Sequence, residues 1–119
     1  VSIRYLRKRS KELYGKEISP RIIEQYFMNN DEKAVKIYNE FGNNLGIVLS
    51  HIINMIDPQV ITIGGGLSNA FDCFKEHMFK TIKLHAPSYS INNIIITPSK
   101  LREISTMLGA SIMVKNIKK

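Results

Sequence analysis

Three consecutive glycines, Gly64-Gly65-Gly66, follow a short β-branched run and precede Leu67-Ser68-Asn69. Residues without a Cβ let a flat base or a phosphate lie close to the backbone, and the free N–H groups of a following helix favour an anion. The turn is neither the GK[ST] phosphate loop nor the full dinucleotide fingerprint, because no Lys-Ser/Thr pair follows and the glycines are adjacent. By itself it also reads as a tight turn. Cys73 and His77, four apart, with His85 beyond, have the look of a partial zinc site. A closed structural site needs four ligands and Cys73 is the single cysteine, so no metal is assigned to them. His51 lies in an apolar stretch and reads as a packed, hydrogen-bonded residue. Asp57 precedes Pro58 and reads as a turn cap, because a catalytic carboxylate would need a partner that the sequence does not show. The cluster Arg4, Arg7, Lys8, Arg9 and Lys11 has the chemistry to contact phosphates. With Tyr5 as its one aromatic and no nucleic-acid module around it, the cluster reads as a solvated helix face. No catalytic residue is assigned.

The elements that position these residues follow from spacing. Ile3, Leu6 and Leu13 form an apolar stripe on a short helix within residues 1–14, ended by Gly15. Ser19-Pro20 supplies an N-cap and a first-turn proline for a second short helix, with Ile22, Ile23, Tyr26 and Phe27 on its apolar face and Asn29-Asn30 at its end. From Asp31, the positions Ala34, Tyr38, Phe41, Leu45, Val48, Ile52 and Met55 recur in steps of four and three, which predicts one long helix to Ile56. Asp57-Pro58 stops it. Ile47, Val48, Leu49, Ile52 and Ile53 surround its second half, which is expected to be buried on most sides. Gly42 and Gly46 leave a smooth strip where another backbone can approach.

Val60-Ile61-Thr62-Ile63 is expected to be a strand, Ala70, Phe71, Phe74, Met78 and Ile82 a helical stripe ending by Pro87, and Ile94–Thr97 a second strand stopped by Pro98. Met107, Ala110, Ser111, Val114 and Ile117 suggest a last helix, with lysines at its negative end. Strand, helix and strand in about thirty residues make a parallel βαβ unit with a right-handed connection. Both strands are apolar on successive residues, as in a sheet covered on both faces. Two strands are too few for a stable sheet. Its neighbours are therefore expected in a segment outside this sequence or from another chain.

The chain has 119 residues, 44% of them hydrophobic and 23% charged, which fits one globular unit and excludes collagenous or wholly disordered classes. A net charge of +7 permits nucleic acid, anionic membranes or phosphorylated ligands without choosing among them. One cysteine fits a reducing cytosol, so a cytoplasmic protein is expected. The longest apolar run, Leu45 to Ile56, is interrupted by Gly46, Ser50, His51 and Asn54 and is shorter than the roughly 20 residues of a membrane span. The start, Val1-Ser2-Ile3-Arg4, has no initiator Met and no signal-peptide order, so a cut inside a longer chain is expected.

Taken together, Gly42-Asn43-Asn44-Leu45-Gly46-Ile47, Asn54-Met55-Ile56-Asp57-Pro58 and Val60 to Ser68 resemble the C-terminal part of the ROK family of repressors, open reading frames and sugar kinases. Asn30-Asp31 is similar to the Gly-Asp that opens the family's long helix, and Leu108-Gly109-Ala110-Ser111 to its small-residue segment near the end. The resemblance implies an α/β, actin-like, ribonuclease-H-like fold of two lobes with ATP in the cleft between them. This chain, as a single partial domain over 1–119, would be the latter half of the second lobe, mostly helical with a parallel βαβ unit. The triple-glycine loop matches the family's adenosine motif, so Gly64, Gly65, Gly66, Leu67 and Ser68 are carried over as cofactor-binding positions.

The resemblance also implies that the phosphate loop, the acidic catalytic base, the sugar-binding segment, the cysteine-rich zinc motif and any winged helix-turn-helix lie before Val1. The favoured parent is a hexose or amino-sugar kinase using ATP with magnesium, because the intact glycine loop is a feature that a pure repressor need not keep. The alternative is a sugar-responsive repressor, with DNA as a partner in that branch alone. The isolated chain is expected to be inactive and to need no cofactor. The uncovered sheet edge and the apolar long helix predict a homo-oligomer, and no membrane partner is expected.

Overall fold

A computed structural model describes residues 3–64, 66–99 and 112–115. The order of elements is α1 (Ile3–Tyr14), α2 (Pro20–Met28), α3 (Glu32–Ile56), β1 (Val60–Ile63), α4 (Gly66–Asn69), α5 (Phe71–His85), α6 (Ser88–Ile91), β2 (Ile95–Pro98) and β3 (Ile112–Lys115). Local chemistry accounts for most of the boundaries. Gly15 adopts φ +81°, a left-handed conformation open to glycine at little cost, and its N–H bonds Lys11 O at 3.0 Å to close α1. Ser19 sits at the extended N-cap position of α2 with Pro20 following, but its side chain makes no capping bond, so the start of α2 rests on proline's fixed φ. Asp31 caps α3: its carboxylate accepts from Lys33 N at 3.1 Å and from the Tyr14 hydroxyl at 2.7 Å, tying the α1 end to the α3 start.

The core is a helix pair. Phe41 on α3 meets Phe74 on α5 edge-on at 5.0 Å between ring centroids, and Phe71 meets Phe74 at 5.7 Å. Gly42 and Gly46 are the reason the two backbones come so close. A Cβ added at Gly42 would stand 2.5 Å from Phe74 O, and one at Gly46 would stand 2.8 Å from Met78 O. Close packing of these helices is therefore the role of the glycine strip. The stripe on α5 is as expected, with Ala70, Phe71, Phe74, Met78 and Ile82 buried.

The stripe on α3 departs from expectation in its second half. Leu49 and Ile53 are buried, whereas Val48 is 37% and Met55 78% exposed. Steps of four and three average 3.5 residues per turn, and a straight α-helix of 3.6 drifts from that repeat by about 20° per heptad. Over 25 residues the inward face moves on to the next row. The expectation of a second half buried on most sides is thus corrected: Ile47 and Ile56 are also exposed, and so is His51, which belongs to the outer side instead of the core.

The sheet has the order β2-β1-β3. β1 and β2 are parallel, Val60 opposite Ile95 and Ile63 opposite Pro98, as the βαβ reading requires. β3 lies antiparallel on the other edge of β1, Ile61 opposite Val114. This corrects two expectations. A third strand exists within the chain, and Val114 belongs to a strand where a last helix was expected; Ile112-Met113-Val114 is a compact run of strand-forming residues beside the free edge of β1. Met107, Ala110, Ser111, Ile117 and the Leu108–Ser111 segment lie outside the described residues. Coverage of the sheet is also one-sided. Ile61 and Ile63 are fully buried, Val60 and Thr62 are half-buried, and Ile95 is 56% exposed.

Candidate functional site

The glycine turn leaves the carboxyl end of the central strand, the place where open α/β sheets put ligands. Gly64 is buried directly after Ile63. Gly66, Leu67, Ser68 and Asn69 form α4, a single turn, and Ala70 at φ −101° breaks the path before α5 begins. Ser68 is half-buried and Asn69 exposed. Gly65 lies outside the described residues. Four of the five residues expected at the loop therefore follow one another at the head of β1.

Beside this turn is a cavity of about 750 Å³. It is lined by Asn69 and Ala70, by Pro20, Arg21, Glu24, Gln25 and Met28 of α2, and by Leu6 of α1. Its size falls within the roughly 300–1,000 Å³ of small-molecule sites. Its lining mixes an apolar floor with a guanidinium, a carboxylate and two carboxamides. No side-chain hydrogen bond or ion pair among the described residues engages Arg21, Glu24, Gln25 or Asn69. These α2 residues were missed by sequence reasoning. Their polarity alone marks an ordinary solvated face, and only the fold brings α2 against the end of α4.

Electrostatics settle the role of the lone thiol. Burial pushes Cys73 up to about 11, with the charges of Glu24 and Asp72 adding to the effect. It is a protonated, buried core residue and a poor nucleophile or metal ligand near neutrality. His77 is half-buried and His85 exposed, and the His85 carbonyl accepts from Asn54 Nδ2 at 3.0 Å. Among the described residues no three His, Cys, Asp or Glu side chains gather as metal ligands would. Asp57 is structural: it closes α3 at φ +52°, its N–H bonds Ile53 O at 2.9 Å, and its Oδ1 accepts from Asn92 Nδ2 at 2.8 Å. Tyr38, beneath α2, is also raised, first by burial and then by the charges of Cys73 and Glu24. No helix among the described residues is long and apolar enough to cross a membrane.

The chain is similar to several known proteins. The chain is 40% identical over 75 residues to an N-acetyl-D-glucosamine kinase of Histophilus somni, covering 63% of this chain and 24% of that protein. It is 36% identical over 103 residues to the N-acetyl-D-glucosamine kinase of Pasteurella multocida, covering 87% and 33%. The DNA-binding transcriptional repressor Mlc of Escherichia coli is 28% identical over 114 residues, covering 95% and 28%. The chain thus spans about a quarter to a third of the length of these curated relatives. A crystal structure assigned as a sugar kinase, from Cytophaga hutchinsonii, superposes with a TM-score of 0.70 at 27% identity, covering 85% of this chain and 36% of that one. The actin-like fold expected from the resemblance accords with that neighbour. The ROK family profile matches residues 1–117, and with the glycine turn, long helix and βαβ unit in place, the chain belongs to the ROK family.

Proposed function

We propose that this chain is the adenosine-holding part of an ATP-dependent sugar kinase acting on a hexose or an amino sugar. The observation that carries the reading is the glycine turn at the carboxyl end of β1, followed directly by Asn69 and Ala70 on the rim of a cavity shared with α2, in a chain whose similar relatives include several N-acetyl-D-glucosamine kinases. Gly64, Gly65, Gly66 and Leu67 offer backbone to the nucleoside, with Ser68 at the margin. Met28 supplies exposed apolar surface for the base, and the polar groups of α2 remain open to its edges and to the ribose. ATP with its magnesium ion would supply the phosphoryl group. The groups assigned here bind and orient the nucleoside, which favours transfer by positioning. No base that could deprotonate a sugar hydroxyl is assigned in this chain, so alone it turns over no ATP.

A cytoplasmic, homo-oligomeric protein accompanies this reading. The exposed apolar side chains Met55, Ile56, Leu84, Ile91 and Ile95 are the surface offered to a second copy. Sedimentation equilibrium at micromolar concentration tests that part, and a stable monomer removes it.

A second reading has its own support. The match to Mlc runs over 95% of the chain, and there the same region would shape the effector lobe of a sugar-responsive repressor that binds DNA through other segments. Titration of the chain with a fluorescent ATP analogue separates the two. Saturable binding, displaced by ATP and lost in Gly65→Val at unchanged thermal stability, supports the kinase reading. A folded chain that ignores the analogue overturns it.

A further inference from the structure

Apart from the nucleotide cavity, α1 presents a surface that the proposed kinase chemistry does not use. Arg4, Arg7, Lys8 and Lys11 fall at i, i+3, i+4 and i+7, so they share one helix face, and with Glu17 they line a groove of about 560 Å³. All four are exposed. None has an ion pair among the described residues. The neighbouring Arg9, on another side of the helix, takes two carboxylates: Glu40 at 2.9 Å and Glu12 at 3.1 Å. Its hydrogen bond to Glu40 raises its pKa further. Arg9 thus takes up Glu12 and Glu40, and four basic side chains face one carboxylate, Glu17, in the groove.

This arrangement works against the helix itself. Like charges at i+3 and i+4 repel, and α1 has no acidic residue in its first turn, where Arg4 faces the positive end of the helix dipole. A polyanion laid along the groove relieves both effects. The face from Arg4 to Lys11 is about 10 Å long, taking 1.5 Å per residue, enough to meet successive phosphates of a nucleic-acid strand. Leu6 is buried and Tyr5 and Leu13 pack on the core, so among the described residues that line the groove none is apolar and able to insert into a bilayer. The groove has no aromatic side chain to stack on a base, which fits contact with phosphates and not with sequence.

We propose that the outer face of α1 binds the phosphate backbone of a nucleic acid without sequence preference, independently of the nucleotide cavity. The test is fluorescence anisotropy of a labelled mixed-sequence DNA duplex titrated with the chain at several salt concentrations. Four phosphate contacts predict a log–log slope of about −3.5 against salt. Changing Arg4, Arg7, Lys8 and Lys11 together to Gln is expected to bring the slope close to zero and lower affinity at least tenfold in low salt. Changing Lys36, Lys75, Lys80 and Lys83 to Gln removes equal charge elsewhere and is expected to leave most of the slope. Should the first variant fail to fold by circular dichroism, Lys8→Gln alone reduces the slope by about one. Equal losses in both sets, no binding at 50 mM salt, or equally tight binding to phosphatidylserine vesicles overturns the proposal.

Discussion

The α3–α5 pair and the glycine-turn side of the sheet are built in opposite ways. In the first, Phe41, Leu45, Phe74 and Met78 are sealed, and two glycines let the helix backbones touch. In the second, strands of four residues carry an exposed Ile95, and polar side chains of α2 line an open cavity together with Asn69 and Ala70. The difference separates two tasks. The helix pair stabilises the unit, and on the turn side Arg21, Gln25 and Asn69 stay exposed to solvent, where a ligand of the proposed kind would meet them. Substitutions in the first region should therefore change stability, and those in the second should change binding.

The largest effect is expected from Phe41→Ala. Phe41 is fully buried and touches both Phe74 and Tyr5. Truncation there costs about 3–5 kcal/mol, a large share of a domain's total stability. Urea unfolding followed by far-ultraviolet circular dichroism measures it, and a loss below about 1 kcal/mol would mean that this pair is not the stabilising centre.

Next comes Gly42→Ala, where two effects compete. Alanine gains up to about 1 kcal/mol of helix propensity. Its Cβ, however, would stand 2.5 Å from a backbone oxygen of α5, which cannot rotate away. Overpacking of this kind costs about 1–3 kcal/mol, so net destabilisation is expected. Gly15→Ala is the control: its Cβ meets nothing within 4 Å, and any loss there comes from the positive φ alone. A stabilising Gly42→Ala would show that the helices can separate at no cost.

Legibility in the sequence follows the same division. Asp31 and Asp57-Pro58 mark both ends of α3 because capping and proline act locally, and the Phe71-Phe74-Met78-Ile82 stripe is legible because α5 is too short for its period to drift. The inward turn to Leu49 and Ile53 is not legible, since it accumulates along 25 residues. β3 is hidden because its pairing with β1 spans some fifty residues of chain, and Val114 alone suits a helix as well as a strand. The glycine turn is visible as a motif. Its facing wall on α2 is not, because Arg21 and Gln25 carry no pattern until tertiary structure sets them opposite Asn69.

A smaller effect is expected from alkali. Cys73 titrates at about 11 in the fold, against 9.0 for the unperturbed thiol. The native state therefore holds its proton where the unfolded chain has lost it. This contribution to stability is fully present below about pH 9, declines as pH rises from 9 to 11, and then stays lost. Tyr14 and Tyr38 are shifted in the same direction and extend the decline to higher pH. In Cys73→Ala the drop in stability between pH 8 and 11 should shrink by on the order of 1–2 kcal/mol. An unchanged drop would mean that the thiol is more hydrated than its burial suggests.

The smallest stability effect, and the sharpest test of the division, belongs to Arg21→Ala on the cavity wall. Arg21 is exposed and has no ion pair among the described residues, so its removal should move unfolding free energy by no more than about 0.5 kcal/mol. It nevertheless lines the same cavity as Asn69, the last residue of α4, where under the proposed reading a nucleotide's anionic end or its base would lie. Binding of a fluorescent ATP analogue should weaken several-fold while the unfolding midpoint stays in place. Gln25→Ala, on the same wall, should follow with a smaller loss, since a neutral amide contributes less than a charge-assisted bond. If both variants bind the analogue as the parent chain does, α2 is only a lid over the core and the nucleoside rests on the glycine turn alone. If both unfold, the wall belongs to the stabilising half of the molecule, and the contrast between the two regions fails at its boundary on α2.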